Sequence, residues 1–326
     1  MTEVRNRYAE LIEPGKFVLR EETIDITEDE VLVKVQVCGI CKYDLAYYKG
    51  VLGTFPGKLG HEPTGIVEQV GSRVTQFKPG DRVTGLYTEQ LYQKGFATYA
   101  VGLPQYLIEV PDNVPLQHAL GEPLKCVATI LRAAPPEFGD NVLVMGCGFM
   151  GLLVLSAVSG RSPGMIIAAD INEERLAIAK ELGATVTLNP QQVDLVSEVK
   201  KLTHGHGTDV VFELTGDAEA VQLAAQTLRL HQARYVLGGW HGVPQRYNLR
   251  HWTHPGAIVL CPHPQFSLNP MDDLRRAMEA LSRGVFPMDR LVTHRFKLDD
   301  IQAAFEMAEQ GGVGYIKGII LPEVSR

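Results

Sequence analysis

Cysteine is scarce in this chain. Five residues, Cys38, Cys41, Cys126, Cys147 and Cys261, are spread over 326 positions. So odd and sparse a set excludes a disulfide framework and leads us to expect reduced thiols and a cytoplasmic setting. Positive charge is also short: 31 Lys and Arg face 38 Asp and Glu, for a formal charge of −7, and no basic run occurs. Gripping a phosphate backbone takes a clustered basic face, so we expect no nucleic-acid partner. The opening MTEVRNRYAEL has no apolar core and does not read as a signal peptide. Internal repeats and low-complexity tracts are missing. One long uncharged stretch exists, residues 142–160, nearly enough to cross a bilayer. Three glycines near its start, and an apolar run ending in an acid behind it, favour a buried strand and helix, so no membrane partner is expected.

What is present is centred on residues 139–170, GDNVLVMGCGFMGLLVLSAVSGRSPGMIIAAD. A short apolar run precedes Gly146-Cys147-Gly148-Phe149-Met150-Gly151, and a second apolar run ends at Asp170. Strand, G-x-G-x-x-G turn, helix, strand and acid form the dinucleotide-binding fingerprint. Gly146 serves the tight turn, Gly148 the approach of a pyrophosphate, and Gly151 close helix packing. The helix start offers N–H groups and the positive dipole end. The alternative is a buried βαβ unit that binds nothing.

On either side the pattern differs. Residues 1–123 read as mainly β: runs at 31–37, 64–70, 96–101 and 107–110 are separated by Gly and Pro turns, as in a small barrel. Residues 122–134 have helical spacing and stop at Pro135-Pro136. From 139 onward, strands (186–188, 209–214, 234–237, 257–261) alternate with helices (175–182, 195–202, 218–228). That alternation predicts a doubly wound parallel sheet, so the fold class is α/β. Two amphipathic helices, 271–283 and 298–310, and a strand at 315–321 follow. We assign this tail to the first domain: 1–123 with 262–326, and 124–261 inserted between them.

The N-terminal part carries Cys38-Gly39-Ile40-Cys41-Lys42-Tyr43-Asp44 and Gly60-His61-Glu62-Pro63. A lone Cys-x-x-Cys suits a redox pair or half a zinc site. No second Cys-x-x-Cys exists for a four-thiolate zinc, and no thioredoxin-like βαβ surrounds this one. A mixed site of thiolate, imidazole and carboxylate remains, which is catalytic-type zinc ligation.

On these motifs the chain resembles, over essentially its full length, the zinc-dependent medium-chain dehydrogenases/reductases of the alcohol, polyol and threonine dehydrogenase kind. Gly80-Asp81-Arg82-Val83, Gly95-Phe96-Ala97-Thr98-Tyr99 and residues 209–216 match as well. The resemblance implies a GroES-like β-barrel catalytic domain plus a Rossmann domain. It implies one catalytic zinc on Cys41 and His61, with Glu62 and Glu122 both candidates for the third ligand. It further implies NAD at Gly146, Gly148, Phe149, Met150 and Gly151, with Asp170 on the ribose and Arg175, Thr215 and Gly238 as further contacts. Asp44 is expected to orient His61 from behind.

The implied reaction passes hydride between a secondary or polyol-type alcohol, or its ketone, and NAD. A homodimer or homotetramer is implied too, through extension of the sheet at 257–261. Three departures stand out. Tyr43 replaces the usual Ser or Thr that carries the alcohol proton, and either relays that proton or packs. Ala46 replaces a frequent relay histidine. Residues 85–96 are short and lack cysteine, so no structural zinc is expected. Two other readings stay open: a zinc-free quinone or enone reductase of the same superfamily, and a non-enzymatic NAD-binding sensor.

Overall fold

The computed structural model describes residues 4–87, 95–161, 163–312 and 314–322. The chain divides into two compact units: Met1–Lys125 with Leu274–Gly284 and Met288–Arg326, and Cys126–Asp273 with Val285–Pro287. The fold class is the expected α/β, with a β-sheet unit and a doubly wound parallel-sheet unit.

In the first unit, strand Val31–Gly39 is central. It pairs antiparallel with Pro63–Val70, Tyr99–Gly102 and Lys317–Leu321. Val31, Val33, Val35 and Val37 are fully buried, which explains their β-branched identity. The sheet continues through Arg82–Gly85 to Leu107–Glu109 on one side and to Val292–Lys297 on the other. Phe305, on helix Ile301–Gln310, anchors the tail. Its ring centroid lies 4.7 Å from Phe17, 5.3 Å from Tyr48 and 5.5 Å from Phe96. Each such aromatic contact adds about 0.5–1.5 kcal/mol beyond area burial. Gln302 Nε2 also donates to Tyr48 Oη at 2.9 Å, so the tail pins the short helix Lys42–Tyr48 that follows Cys41.

The second unit is a six-stranded parallel sheet. Its order is Val186–Leu188, Met165–Ala169, Asn141–Met145, Val210–Glu213, Arg234–Leu237, Ile258–Leu260. The order reverses between Asn141–Met145 and Val210–Glu213, the switch point at which such sheets bind ligands. Register brings Met145 level with Ala169 and Glu213, and Glu213 level with Leu237. The turns after these residues therefore emerge side by side. Helix Phe149–Ser159 is apolar all round because it is buried. Among the described residues, no helix is long and apolar enough to cross a membrane.

The structure differs from the sequence expectation in three places. Hairpin Val4–Glu13 with Lys16–Ile24 is additional. Its alternation is hidden by charges that pair across or beside it, such as Arg20 with Glu10 at 3.1 Å and Lys58 with Glu22 at 2.8 Å. Strand Val292–Lys297 is additional too. Residues 262–273 belong to the second unit rather than the first. Buried Asp273 explains this: it accepts from Thr129 Oγ at 2.8 Å and Ser267 Oγ at 2.6 Å, and it pairs with Arg132.

Candidate active site

The first unit gathers a compact donor cluster. Cys41 caps helix Lys42–Tyr48 in extended conformation, with Asp44 as the reciprocal partner in a capping box. One Asp44 oxygen accepts the Cys41 N–H at 3.0 Å, while the other lies 3.4 Å from Gly60 N and 3.3 Å from His61 Nδ1. A single buried carboxylate thus ties together the two segments that carry Cys41 and His61. Cys41, His61 and Glu62 each offer an atom within 4.8 Å of the others. Among the described residues this is the group able to hold a metal ion. Glu122, the second candidate carboxylate, sits in the first turn of helix Gly121–Ala133 and lies outside the triad, with Oε2 4.0 Å from His61 Nε2.

The electrostatics follow from burial. Burial disfavours a charged His61, but Asp44 and Cys41 outweigh it and lift the imidazole pKa well above its ordinary value. Burial raises the Cys41 thiol, with His61 pulling the other way. Burial also raises Glu62, opposed by Lys317 and His61. Lys317 Nζ stands 2.6 Å from Glu62 Oε2, and both side chains are almost wholly buried. Glu62 Oε1 is buried without a hydrogen-bond partner. A thiolate, an imidazole and a carboxylate with an unsatisfied buried oxygen fit a zinc ion.

Lys317 carries no local sequence signal, since its role exists only because strand Lys317–Leu321 pairs with Val31–Gly39. Gly39 shares the reason: a Cβ there would stand 1.8 Å from Glu62 Oε2. The Tyr43 and His61 rings meet in a T-shaped arrangement with centroids 5.7 Å apart, and the Tyr43 hydroxyl lies 3.1 Å from Tyr47 Oη. Ala46 is buried. Residues 88–94, within the stretch where a structural-zinc lobe would fall, lie outside the described residues.

The second unit builds the glycine turn. Gly146 has φ +95°, a left-handed conformation that costs other residues energy. A Cβ on Gly151 would sit 1.8 Å from the Gly146 carbonyl oxygen, whereas one on Gly148 would meet nothing within 4 Å. Close packing is thus demanded at Gly151, and open space adjoins Gly148, as a dinucleotide cradle needs. No side chain caps the following helix at Gly148. Asp170 accepts the Cys147 N–H at 2.6 Å and the Asn172 N–H at 2.9 Å. Asn172 in turn accepts from the backbone of Arg175 at 3.0 Å. Phe149 is buried and Met150 half-buried. Thr215 lies beside Gly146, and Gly238 donates to the Glu213 carbonyl at 2.9 Å.

Comparison with known proteins bears on both units. Residues 27–112 match the alcohol dehydrogenase GroES-like domain and residues 150–260 match the zinc-binding dehydrogenase family. The chain is 30% identical to the zinc-type alcohol dehydrogenase-like protein YdjJ of Escherichia coli, over 97% of this chain and 99% of that one. It is 31% identical to (R,R)-butanediol dehydrogenase of Bacillus subtilis, over 83% and 86%. A zinc-binding dehydrogenase from Sinorhizobium meliloti, solved with NADP bound, superposes with a TM-score of 0.87 at 25% identity, covering 98% of this chain and 100% of that one. With matches of this length on both sides of the glycine turn, the chain belongs to the medium-chain dehydrogenase/reductase superfamily, among relatives of the zinc-type alcohol dehydrogenase kind.

Proposed function

We propose that this protein interconverts a secondary or polyol-type alcohol and its ketone, with NAD as the hydride carrier and a single zinc ion held by Cys41, His61 and Glu62. The triad carries the reading: half-buried Cys41 and buried His61 and Glu62 each offer an atom within 4.8 Å of the others. When bound, zinc supplies Lewis acidity toward the substrate hydroxyl and the nicotinamide supplies the redox chemistry. The chain's own part is positioning and charge. Asp44 accepts a hydrogen bond from the Nδ1–H of His61, 3.3 Å away, and leaves Nε2 for the metal. Lys317 keeps the Glu62 carboxylate charged where burial opposes it. Glu122, beside His61, is the alternate carboxylate. Tyr43 Oη, 3.1 Å from Tyr47 Oη, stands in place of the usual Ser and His relay: Tyr43 takes up the substrate proton as it passes its own to Tyr47, and Tyr47 releases its own to solvent.

NAD is favoured over NADP because a carboxylate at Asp170 hydrogen-bonds ribose hydroxyls and repels a 2′-phosphate. The NADP in the Sinorhizobium meliloti structure makes this a discriminating expectation. Strand Ile258–Leu260 ends its sheet with Ile258 and Val259 exposed, which suits sheet extension between two copies.

Metal analysis, followed by an alcohol panel monitored by NADH absorbance, tests the reading. About one zinc per chain and turnover of secondary alcohols are expected. Cys41→Ala is expected to lose zinc and turnover while still binding NADH. Full activity in that variant would overturn the metal assignment.

A further inference from the structure

A buried acid and base that the proposed chemistry does not use stand at the carboxyl end of the parallel sheet. Glu213 ends strand Val210–Glu213 with a wholly buried side chain. Its Oε1 accepts from Thr215 N at 2.7 Å, from Gly216 N at 3.0 Å and from the Thr215 hydroxyl. Its Oε2 faces His241 Nε2 at 3.1 Å, an ion contact whose N–H is not aligned for a hydrogen bond. His241 belongs to the loop after strand Arg234–Leu237 and is 22% exposed. The two loops interlock. A Cβ on Gly239 would lie 2.5 Å from Gly216 N, one on Gly216 would lie 2.3 Å from the Trp240 carbonyl, and Gln245 Nε2 donates to the Gly216 carbonyl at 3.0 Å. On its other side this structure meets the glycine turn, where a Cβ on Gly146 would stand 2.7 Å from Thr215 Cγ2.

A carboxylate taken out of water needs a compensating charge. Among the described residues, His241 is the side chain within ion-pair distance of Glu213 that can carry one. The other polar groups near the pair are Gln245, the Tyr247 hydroxyl bonded to it, the Tyr235 hydroxyl, which donates to the Val221 carbonyl, and Asp217, which caps helix Ala218–Ala225. Neither Asp217 nor a neutral phenol substitutes for a cation.

We propose that His241 is a positioning residue for the dinucleotide: its imidazolium neutralises Glu213 and thereby holds Thr215 and Gly216 against the Gly146 turn. The proposal rests on the reading that the second unit binds a nicotinamide cofactor. Glu213 holds the His241 pKa above its ordinary value, outweighing burial, so the clamp is charged at low pH and released as pH rises. Cofactor affinity should therefore fall with rising pH.

NADH fluorescence titration of the zinc-loaded protein tests this without an alcohol, so failure of the substrate reading does not affect it. Wild-type affinity is expected to drop about fivefold or more between about pH 6 and pH 9. His241→Gln should bind weakly at every pH, with its own pH slope gone. His241→Lys, a cation throughout the range, should bind tightly with a flat profile. Melting curves confirm that each variant is folded. If His241→Gln keeps the wild-type profile, or if His241→Lys is as weak as His241→Gln, charge on His241 is not the agent and the proposal fails. A wild type that binds no NADH overturns the cofactor reading and this proposal with it.

Discussion

Replacing Lys317 by Met tests whether the donor cluster depends on a residue from the far end of the chain. Lys317 Nζ and Glu62 Oε2 are 2.6 Å apart, with side-chain exposures of 5% and 0%. Methionine fills much of the same volume and removes only the charge. Removing one partner of a buried pair costs about 3–5 kcal/mol, because the other charge is left uncompensated. At about 2–4 °C per kcal/mol for a domain of 150–250 residues, the first unit's melting transition should fall by roughly 6–20 °C in metal-free protein. Scanning calorimetry after chelation reads this directly. Lys317→Met with Glu62→Gln should recover most of the loss, since neither charge then remains. Zinc bound at Cys41, His61 and Glu62 should narrow the gap between wild type and the single variant, because the metal supplies the missing positive charge. A metal-free Lys317→Met transition that coincides with wild type, or a double variant no more stable than the single one, would refute the reasoning.

Three further outcomes are expected. Gly151→Ala places a Cβ 1.8 Å from the Gly146 carbonyl oxygen, a backbone clash that no rotamer relieves; it should destabilise the second unit by about 1–3 kcal/mol and weaken NADH binding while leaving zinc content intact, and unchanged NADH affinity would contradict the packing argument. Asp170→Gly should raise kcat/KM with NADP relative to NAD, and an unaltered ratio would show that the carboxylate does not select the cofactor. Asp209 is partly buried, which by itself would raise its carboxyl, but Asn141 N–H at 2.8 Å, His206 and Arg229 hold it below the ordinary value of 3.8. A lowered native pKa gives stability above about pH 4 that is lost as pH falls through the native value, so Asp209→Asn should flatten the acid limb of the second unit's stability profile, and an identical acid limb would remove Asp209 from the account.

Local chemistry made much of this protein legible before any coordinates. The turn from Gly146 to Gly151 depends on backbone conformation and contacts a few residues away, so its pattern is written in consecutive positions. Parallel strands alternating with helices leave period and punctuation behind them. Hairpin Val4–Glu13 with Lys16–Ile24 left none, because its cross-strand ion pairs put charges where alternation would show. That residues 262–273 cluster with the second unit left no local signal, because Asp273 is drawn to Thr129 and Arg132, partners far away in the chain.

By itself, then, the sequence determined the fold class, the glycine turn with Asp170 at its edge, and the residue types from which a thiolate, imidazole and carboxylate site can be built. Tertiary structure decided which of them meet. It set Glu62 rather than Glu122 within the triad, brought Lys317 to Glu62, required Gly39 to lack a side chain, and put His241 over Glu213. These pairings follow from strand register and from the burial of charges that must find partners, and neither is encoded in spacing along the chain.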